Sequence, residues 1–452
     1  MHTLVIGGTG PTGPFIVKGL LERGHYVTIL NRGSHVTDEI PESVERIIGD
    51  PHFEETLREA LEGRNFDLII ASYGRLRMIA EIAGEYTDRL ISLGGSPGFR
   101  GMQYPEALFP HGLRVALPEN SPLVASEDEF RFGYLIRVSE DAVIEGHKAG
   151  RYEATHLRYP MIYGPRQPIP CEWWVVKRLL DKRKSIVLPD SGLTIITRGY
   201  AENMAEAVLL TVDQRDRSSG KIYNCGDDYQ LTMAQWVQVI AKVMDSEMEI
   251  ISIPAKYATP SRDMMIGSNH SNHLHYDTYA IRSDLGYKDK VPVLEAMKRT
   301  VSWYLEHPPQ LNKATEGDLA RHYLDEDKLI QINEEMLEKY GVPYRMVVED
   351  SEFDAYAENV PEEKIIALPK DFRENPLYAV RCEVTDTLGG SIPVRNFVYE
   401  HSKSEGHKRH WILDDNMAPI YRLHQNRKLV VESGSPFRIL ENFVDRYTNI
   451  GM

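Results

Sequence analysis

The chain is 452 residues long, about three times the usual size of one domain, so two or three domains are expected. With 42% hydrophobic and 26% charged residues it has the balance of a packed globular chain, which excludes wholesale disorder. A net charge of −15 argues against nucleic acid or an anionic membrane as partner. Three widely spaced cysteines (Cys171, Cys225, Cys382) exclude a disulfide scaffold.

No run approaches 18 apolar residues, and the N-terminus opens directly into a strand pattern with no signal peptide. The expectation is a soluble, cytoplasmic protein acting on a small molecule. Residues 3–6 read TLVI, a buried parallel strand. The segment Gly7-Gly8-Thr9-Gly10-Pro11-Thr12-Gly13 follows, then the helical pattern FIVKGLLERG and a second strand, HYVTIL. Strand, glycine turn, helix and strand within about thirty residues predict the βαβ unit that receives a dinucleotide. One glycine allows the tight turn, one lets backbone N–H groups approach the pyrophosphate, and one brings helix and strand close. The free donors and positive dipole end of the helix then face the phosphates. This assigns Gly7, Thr9, Gly10, Pro11, Thr12 and Gly13 to cofactor binding.

The spacing Gly7-x-x-Gly10-x-x-Gly13 resembles the extended short-chain dehydrogenase/reductase family, the NAD(P)-dependent epimerases and dehydratases. Further stretches carry the resemblance over about residues 3–308. They are FDLIIAS, RLISLGG, ATHLRYPMIYGP (Tyr159 standing where proline is common), KIYNCGDDYQLTMAQWVQVIAKVM and YDTYAIRSDLGYKDKVPVLEAMKRTVSWYLEH. The implied fold is α/β, a doubly wound Rossmann-type parallel sheet with a smaller substrate domain. The implied domains are a Rossmann core over 1–165, with a later strand returning from about 195–225, and a mainly substrate-binding domain over 166–309. Homodimers are common in the family.

After the second strand stand Asn31 and Arg32, where an NAD site would place an acid. Arg32 reads either as the contact for a 2′-phosphate or as a solvated loop residue. NADP is the preferred cofactor and NAD the alternative. The resemblance puts Asp50 near the adenine and Ala71, Ser72 and Tyr73 beside the pyrophosphate.

The family carries Y-x-x-x-K on the helix between the fifth and sixth strands, its tyrosine moving a proton and its lysine lowering the tyrosine pKa. Here the frame Y-G-x-x-K-x-x-x-E falls on Phe132, Gly133, Ile136 and Glu140, so both dyad residues are replaced. A second register starting at Tyr134 meets Val138, not lysine. One reading is a catalytically silent cofactor-binding scaffold or sensor. The other is an oxidoreductase or epimerase with substitute groups, for which Tyr134 (proton donor) and Ser92 are the catalytic candidates, and Ser96, Trp173 and Arg166 the substrate contacts. The stretch Asn269–His275 packs three histidines into six positions, but reads better as a loop than as a metal site.

After His307-Pro308-Pro309 the composition turns polar and acidic, predicting a helical linker over 310–335 and a separate unit over 336–452. YRMVVED and IIALP read as strands, SIPVRNFVYEHS as a helix, and KRHWILDDNM as a strand ending in Asp414-Asp415-Asn416. Their order resembles the nucleotide-binding half of GT-A glycosyltransferases. That resemblance implies Glu349 near the base, Arg395 near the phosphates, and Asp414 with Asp415 at a Mn²⁺ or Mg²⁺ ion. A simple turn after a strand is the alternative for the acidic pair. About 120 residues is short for a whole GT-A domain, so the unit reads as a half domain. A nucleotide-sugar enzyme built on this tail is the third functional reading.

Overall fold

In the computed structural model the described residues are 1–33, 38–72, 76–95, 98–255, 258, 272–309, 322–330, 345–348, 350–357, 360–373, 380–381, 388–389, 392–406, 412, 421–424 and 427–430. The chain divides into two units, Met1–Asp327 and Lys328–Met452.

The first unit is built on a seven-stranded parallel sheet. Its strands are β1 (His2–Ile6), β2 (Tyr26–Asn31), β3 (Glu45–Ile48), β4 (Leu68–Ser72), β5 (Arg89–Gly95), β6 (Glu153–Tyr159) and, after three strands that lie outside this sheet, β10 (Lys221–Asn224). The spatial order is β3-β2-β1-β4-β5-β6-β10. The order reverses between β1 and β4, the switch point where ligands of doubly wound sheets bind. The predicted strands therefore fall as read, and β10 is the strand returning late from the substrate-domain half.

Both faces of the sheet are covered. On one side α1 (Gly13–Glu22), α6 (Ala201–Asp213) and α9 (Tyr279–Leu285) pack Ile16, Val17, Leu20, Val208 and Ile281 against Val5, Ile29 and Ile70. On the other, α2 (Glu54–Leu61), α3 (Leu76–Ile82) and α4 (Arg131–Lys148) bury Leu57, Ile79 and Val143 on Leu4, Ile6 and Ile69. Alternate residues of β1 thus serve opposite layers, the reason its sequence is apolar throughout. Each such side chain contributes about 1.5–3 kcal/mol on burial.

The half of the unit expected to bind substrate contains β7 (Met161–Tyr163) paired with β9 (Arg198–Tyr200), and β8 (Ser185–Pro189) paired with β11 (Glu249–Ile253). Around them pack α5 (Trp173–Leu180), α8 (Met233–Val243) and α10 (Val293–Glu306), over a core that includes Tyr163, Trp173, Trp236 and Tyr304. Between α6 and β10 runs the single turn α7 (Arg215–Ser218).

In the second unit Met346–Val348 and Ile365–Ala367 form a parallel pair, as the two short strands read from the sequence require. The predicted helix is present over Ile392–Ser404, with Phe397 5.3 Å from Phe372. Tyr421–His424 and Arg427–Val430 pair antiparallel.

Candidate functional site

The carboxyl ends of β1, β2 and β4 meet at the N-terminus of α1. Gly7 and Gly8 take φ of +109° and +79°, a turn closed to side-chain-bearing residues, and Gly7 N–H donates to Leu30 O at 2.8 Å. A Cβ on Gly7 would stand 2.3 Å from Ser72 Oγ, and one on Gly13 would stand 2.2 Å from Gly8 O. Those two glycines are fixed by close packing. Gly10 is different, because no described atom lies within 4 Å of the place a Cβ would take. Its surface faces open space ahead of α1, and Thr12, the N-cap, makes no side-chain capping bond. Gly13 N–H turns back onto Gly10 O at 3.1 Å and Pro14 has no N–H, so what this end of α1 offers a diphosphate is its positive dipole and the room at Gly10. Ser72 Oγ donates to Ile6 O at 3.0 Å, stapling β4 to β1 beneath the turn, and Ala71 is fully buried.

Beyond the end of β2 a cleft of about 520 Å³ is lined by Arg32, Ile48, Gly49, Asp50, Thr56, Glu59 and Ala60. Asn31 Oδ1 accepts from Gly33 N–H at 2.9 Å, so its amide is committed to the turn. The Asp50 carboxylate accepts from His52 N–H at 3.0 Å and lies 2.7 Å from His52 Nδ1. These bonds hold it below the usual carboxylate range. Arg32 is exposed at the mouth and is the one cation among the lining residues.

On α4, Phe132 is 49% exposed, and Ile136 packs at Gly98, its Cγ2 3.5 Å from where a Cβ would stand. Neither can move a proton. Tyr134 is half-buried and two residues from both, about 200° around the helix, so it does not share their face. Ser92 is the fourth residue of seven in β5 and is fully buried, with Oγ 2.8 Å from His156 Nδ1. His156 Nε2 stands 3.3 Å from Glu140, which takes two 2.7 Å bonds from Arg158. Burial alone would raise the Glu140 carboxyl, but Arg158 and His156 outweigh it and hold the group well below its ordinary value.

Trp173 is buried in the core of the substrate-side half, its ring 6.1 Å from Tyr304. Arg166 pairs with Glu39 and lies over the rings of Phe15 and Trp303; burial lowers its pKa. Tyr159 puts its hydroxyl on Met204 O at 3.1 Å, a bond between β6 and α6 that the family's proline could not make. Tyr73, Ser96, Glu349, Asp414 and Asp415 lie outside the described residues.

Sequence reasoning missed the Ser92–His156 contact, the Arg166–Glu39 pair and the buried Asp227. Asp227 takes bonds from Tyr163 OH at 2.9 Å, Tyr200 N–H and Asn203 Nδ2. A signal existed for Glu140 alone, the acid of the helix frame.

Residues 129–226 match the family model described as NAD dependent epimerase/dehydratase family, and residues 330–452 match TET-Associated Glycosyltransferase. The chain is 23% identical over 314 residues to the chloroplast stem-loop binding protein of 41 kDa b of Arabidopsis thaliana, covering 65% of this chain and 76% of that protein. To the UDP-N-acetyl-alpha-D-glucosaminuronate decarboxylase of Bacillus cytotoxicus it is 20% identical over 329 residues, covering 67% and 97%. The crystal structure of UDP-glucose 4-epimerase from Thermotoga maritima superposes with a TM-score of 0.54 at 16% identity, over 68% of this chain and 99% of that one. The chain thus carries a Rossmann domain of the NAD(P)-dependent epimerase/dehydratase family, followed by a GT-A-like, glycosyltransferase-associated C-terminal region.

Proposed function

We propose that the N-terminal unit binds NADP(H), with NAD(H) as the weaker alternative. On this reading it is an oxidoreductase or epimerase of the extended short-chain dehydrogenase type, acting on a small carbonyl- or sugar-containing substrate. The observation that carries this is the open face of Gly10 at the positive end of α1, beside a 520 Å³ cleft whose one lining cation is Arg32.

When bound, the nicotinamide supplies hydride transfer. The chain's own part begins at the α1 N-terminus, whose positive dipole end holds the diphosphate. Arg32 faces a 2′-phosphate, and Asn31, its amide already bound to Gly33, puts no carboxylate on the ribose. Titration with NADPH and NADH, followed by fluorescence, tests the reading. Tighter NADPH binding, weakened in Arg32→Ala while NADH binding is unchanged, is the expected result; no binding of either nucleotide overturns it.

For turnover, Tyr134 is the proposed proton donor and Ser96 the proposed substrate contact, whereas the buried Ser92 and the core-packed Trp173 serve the structure. A reductase rate unchanged in Tyr134→Phe rules that donor out. The second reading, a cofactor-binding scaffold or sensor without turnover, is favoured by the apolar Phe132–Ile136 face of α4. Bound NADPH with no turnover across a panel of carbonyl and nucleotide-sugar substrates would select it. The Arabidopsis relative is named for stem-loop binding, but a net charge of −15 opposes that role here.

For the C-terminal region the family match over 330–452 supports nucleotide-sugar binding. The adjacent carboxylates of Asp414 and Asp415 have the hard oxygen chemistry that suits Mn²⁺ or Mg²⁺, and Arg395 would face the phosphates. Mn²⁺-dependent hydrolysis of a nucleotide sugar, lost in Asp415→Ala, is the test.

A further inference from the structure

One ion pair links the segment after β2 to the turn after β7. Glu39 lies in the segment between β2 and β3, eight residues beyond Asn31, and Arg166 follows β7 on the substrate side. The turn between them and the cleft is built for this contact. Gly164 has φ +128° and Arg166 itself has φ +61°, a left-handed backbone that costs a non-glycine residue stability and so must be held by its side chain. It carries the guanidinium back to 5.7 Å from the ring of Phe15 and 5.5 Å from that of Trp303. Phe15 is the third residue of α1, so the cation stands beside the first turn of the helix that follows the glycine turn.

The guanidinium is only partly used. Its Nη1 pairs with Glu39, while Nε and Nη2 are buried and have no hydrogen-bond partner among the described residues. Those two nitrogens form the edge of the fork that matches two oxygens of a phosphate. The side chain as a whole is 11% exposed, and a buried fork without acceptors is costly. A cation next to the positive end of a helix is also unfavourable unless an anion lies between them.

We propose that Arg166 and Glu39 form a strap over the glycine turn, in which the Nε–Nη2 edge of Arg166 binds the diphosphate of the dinucleotide and Glu39, on Nη1, is a positioning residue that holds the fork in place. The proposal rests on the dinucleotide reading above. Arg32 serves the 2′-phosphate and Arg166 the diphosphate, so the two cations divide the ligand between them.

The test is NADPH affinity in wild type, Arg166→Met, Arg166→Lys and Glu39→Gln, with displacement by 2′-AMP, which has the 2′-phosphate but no diphosphate. Arg166→Met is expected to weaken NADPH at least tenfold and to leave 2′-AMP unchanged. A collapsed fold would weaken both, and the thermal midpoint reads that separately. Arg166→Lys, with the charge but not the fork, should recover part of the loss. Glu39→Gln should cost about threefold in wild type and nothing further in Arg166→Met. NADPH affinity unchanged in Arg166→Met overturns the strap alone. Wild type binding neither NADPH nor NADH overturns the dinucleotide reading with it. UDP weakened in Arg166→Met while NADPH is unaffected would move the contact to a substrate diphosphate and also overturn the assignment.

Discussion

Ser92 and His156 face each other on neighbouring parallel strands, Oγ 2.8 Å from Nδ1, with neither side chain reaching solvent. The imidazole fits because the next position on that face of β5 is Gly94, where a Cβ would stand 2.5 Å from the ring. His156 leads on to Glu140 and Glu140 to Arg158, which also donates to Glu119 O at 2.7 Å. A buried polar column therefore runs under α4, on the side of the helix that carries Phe132 and Ile136. Removing one partner of a buried ion pair strands the other, so Arg158→Met should cost about 3–5 kcal/mol in urea denaturation. The Glu140 carboxyl is lowered in the folded state. Its stabilisation is thus present above its unfolded pKa, near 4.3, and fades as pH falls below that value. Glu140→Gln should remove this acid-side loss.

The glycine turn separates folding from binding. Gly13→Ala would push a methyl to 2.2 Å from Gly8 O and should cost about 3 kcal/mol by overpacking. Gly10→Ala meets no described atom and should leave the thermal midpoint unchanged. Its methyl would project into the space ahead of α1, weakening NADPH about tenfold, near 1.4 kcal/mol. A Gly10→Ala protein that kept full affinity would place the diphosphate elsewhere.

What the sequence made legible was the part encoded by local pattern. TLVI followed by the glycine turn and an amphipathic helix can form little except the first βαβ unit, and the other core strands are equally apolar runs between turns. The residues that meet only after folding left no such trace. Glu39 and Arg166 are 127 positions apart, and nothing in the sequence around either points to the other. Ser92 reads as the end of a strand, yet β5 continues to Gly95, because Gly94 and Gly95 pair with Arg158 and Tyr159 of β6. That register places Ser92 inside the sheet, opposite His156. Trp173, expected from the sequence as a substrate contact, lies in the core.

The carboxylates behind β9 make stability fall toward neutral pH. Burial first, and then the nearby Asp289, push Asp227 up to about 7; burial pushes Asp289 up to about 6. Both groups bind protons more tightly folded than unfolded, where the pKa is near 3.9. Their contribution is fully present below that value and is lost as pH rises through the folded pKa values. The wild-type thermal midpoint should therefore drop between pH 5 and pH 8. Asp227→Asn should flatten most of the drop, since an amide oxygen can still accept from Tyr200 N–H. An equal slope in the variant would mean that Asp227 stays ionised throughout the range.

Glu326 fixes where the first unit ends. Its side chain is fully buried, with both oxygens 3.1 Å from Arg178 Nε on α5 and Oε1 3.3 Å from Val187 N on β8. Arg183, the second cation on this carboxylate, stands 3.6 Å from Oε2. Residues 322–327 are thereby joined to the substrate-side half, although the sequence there reads as a charged linker helix. Glu326→Ala leaves Arg178 buried and unpaired, a loss of about 3–5 kcal/mol. Arg178→Met in the same chain should restore part of it, because the stranded charge goes too. A chain ending at Pro309 should show the Glu326→Ala deficit in its urea midpoint, and one ending at residue 330 should not. Equal midpoints for the two shortened chains would mean that the pair contributes nothing to the first unit's stability.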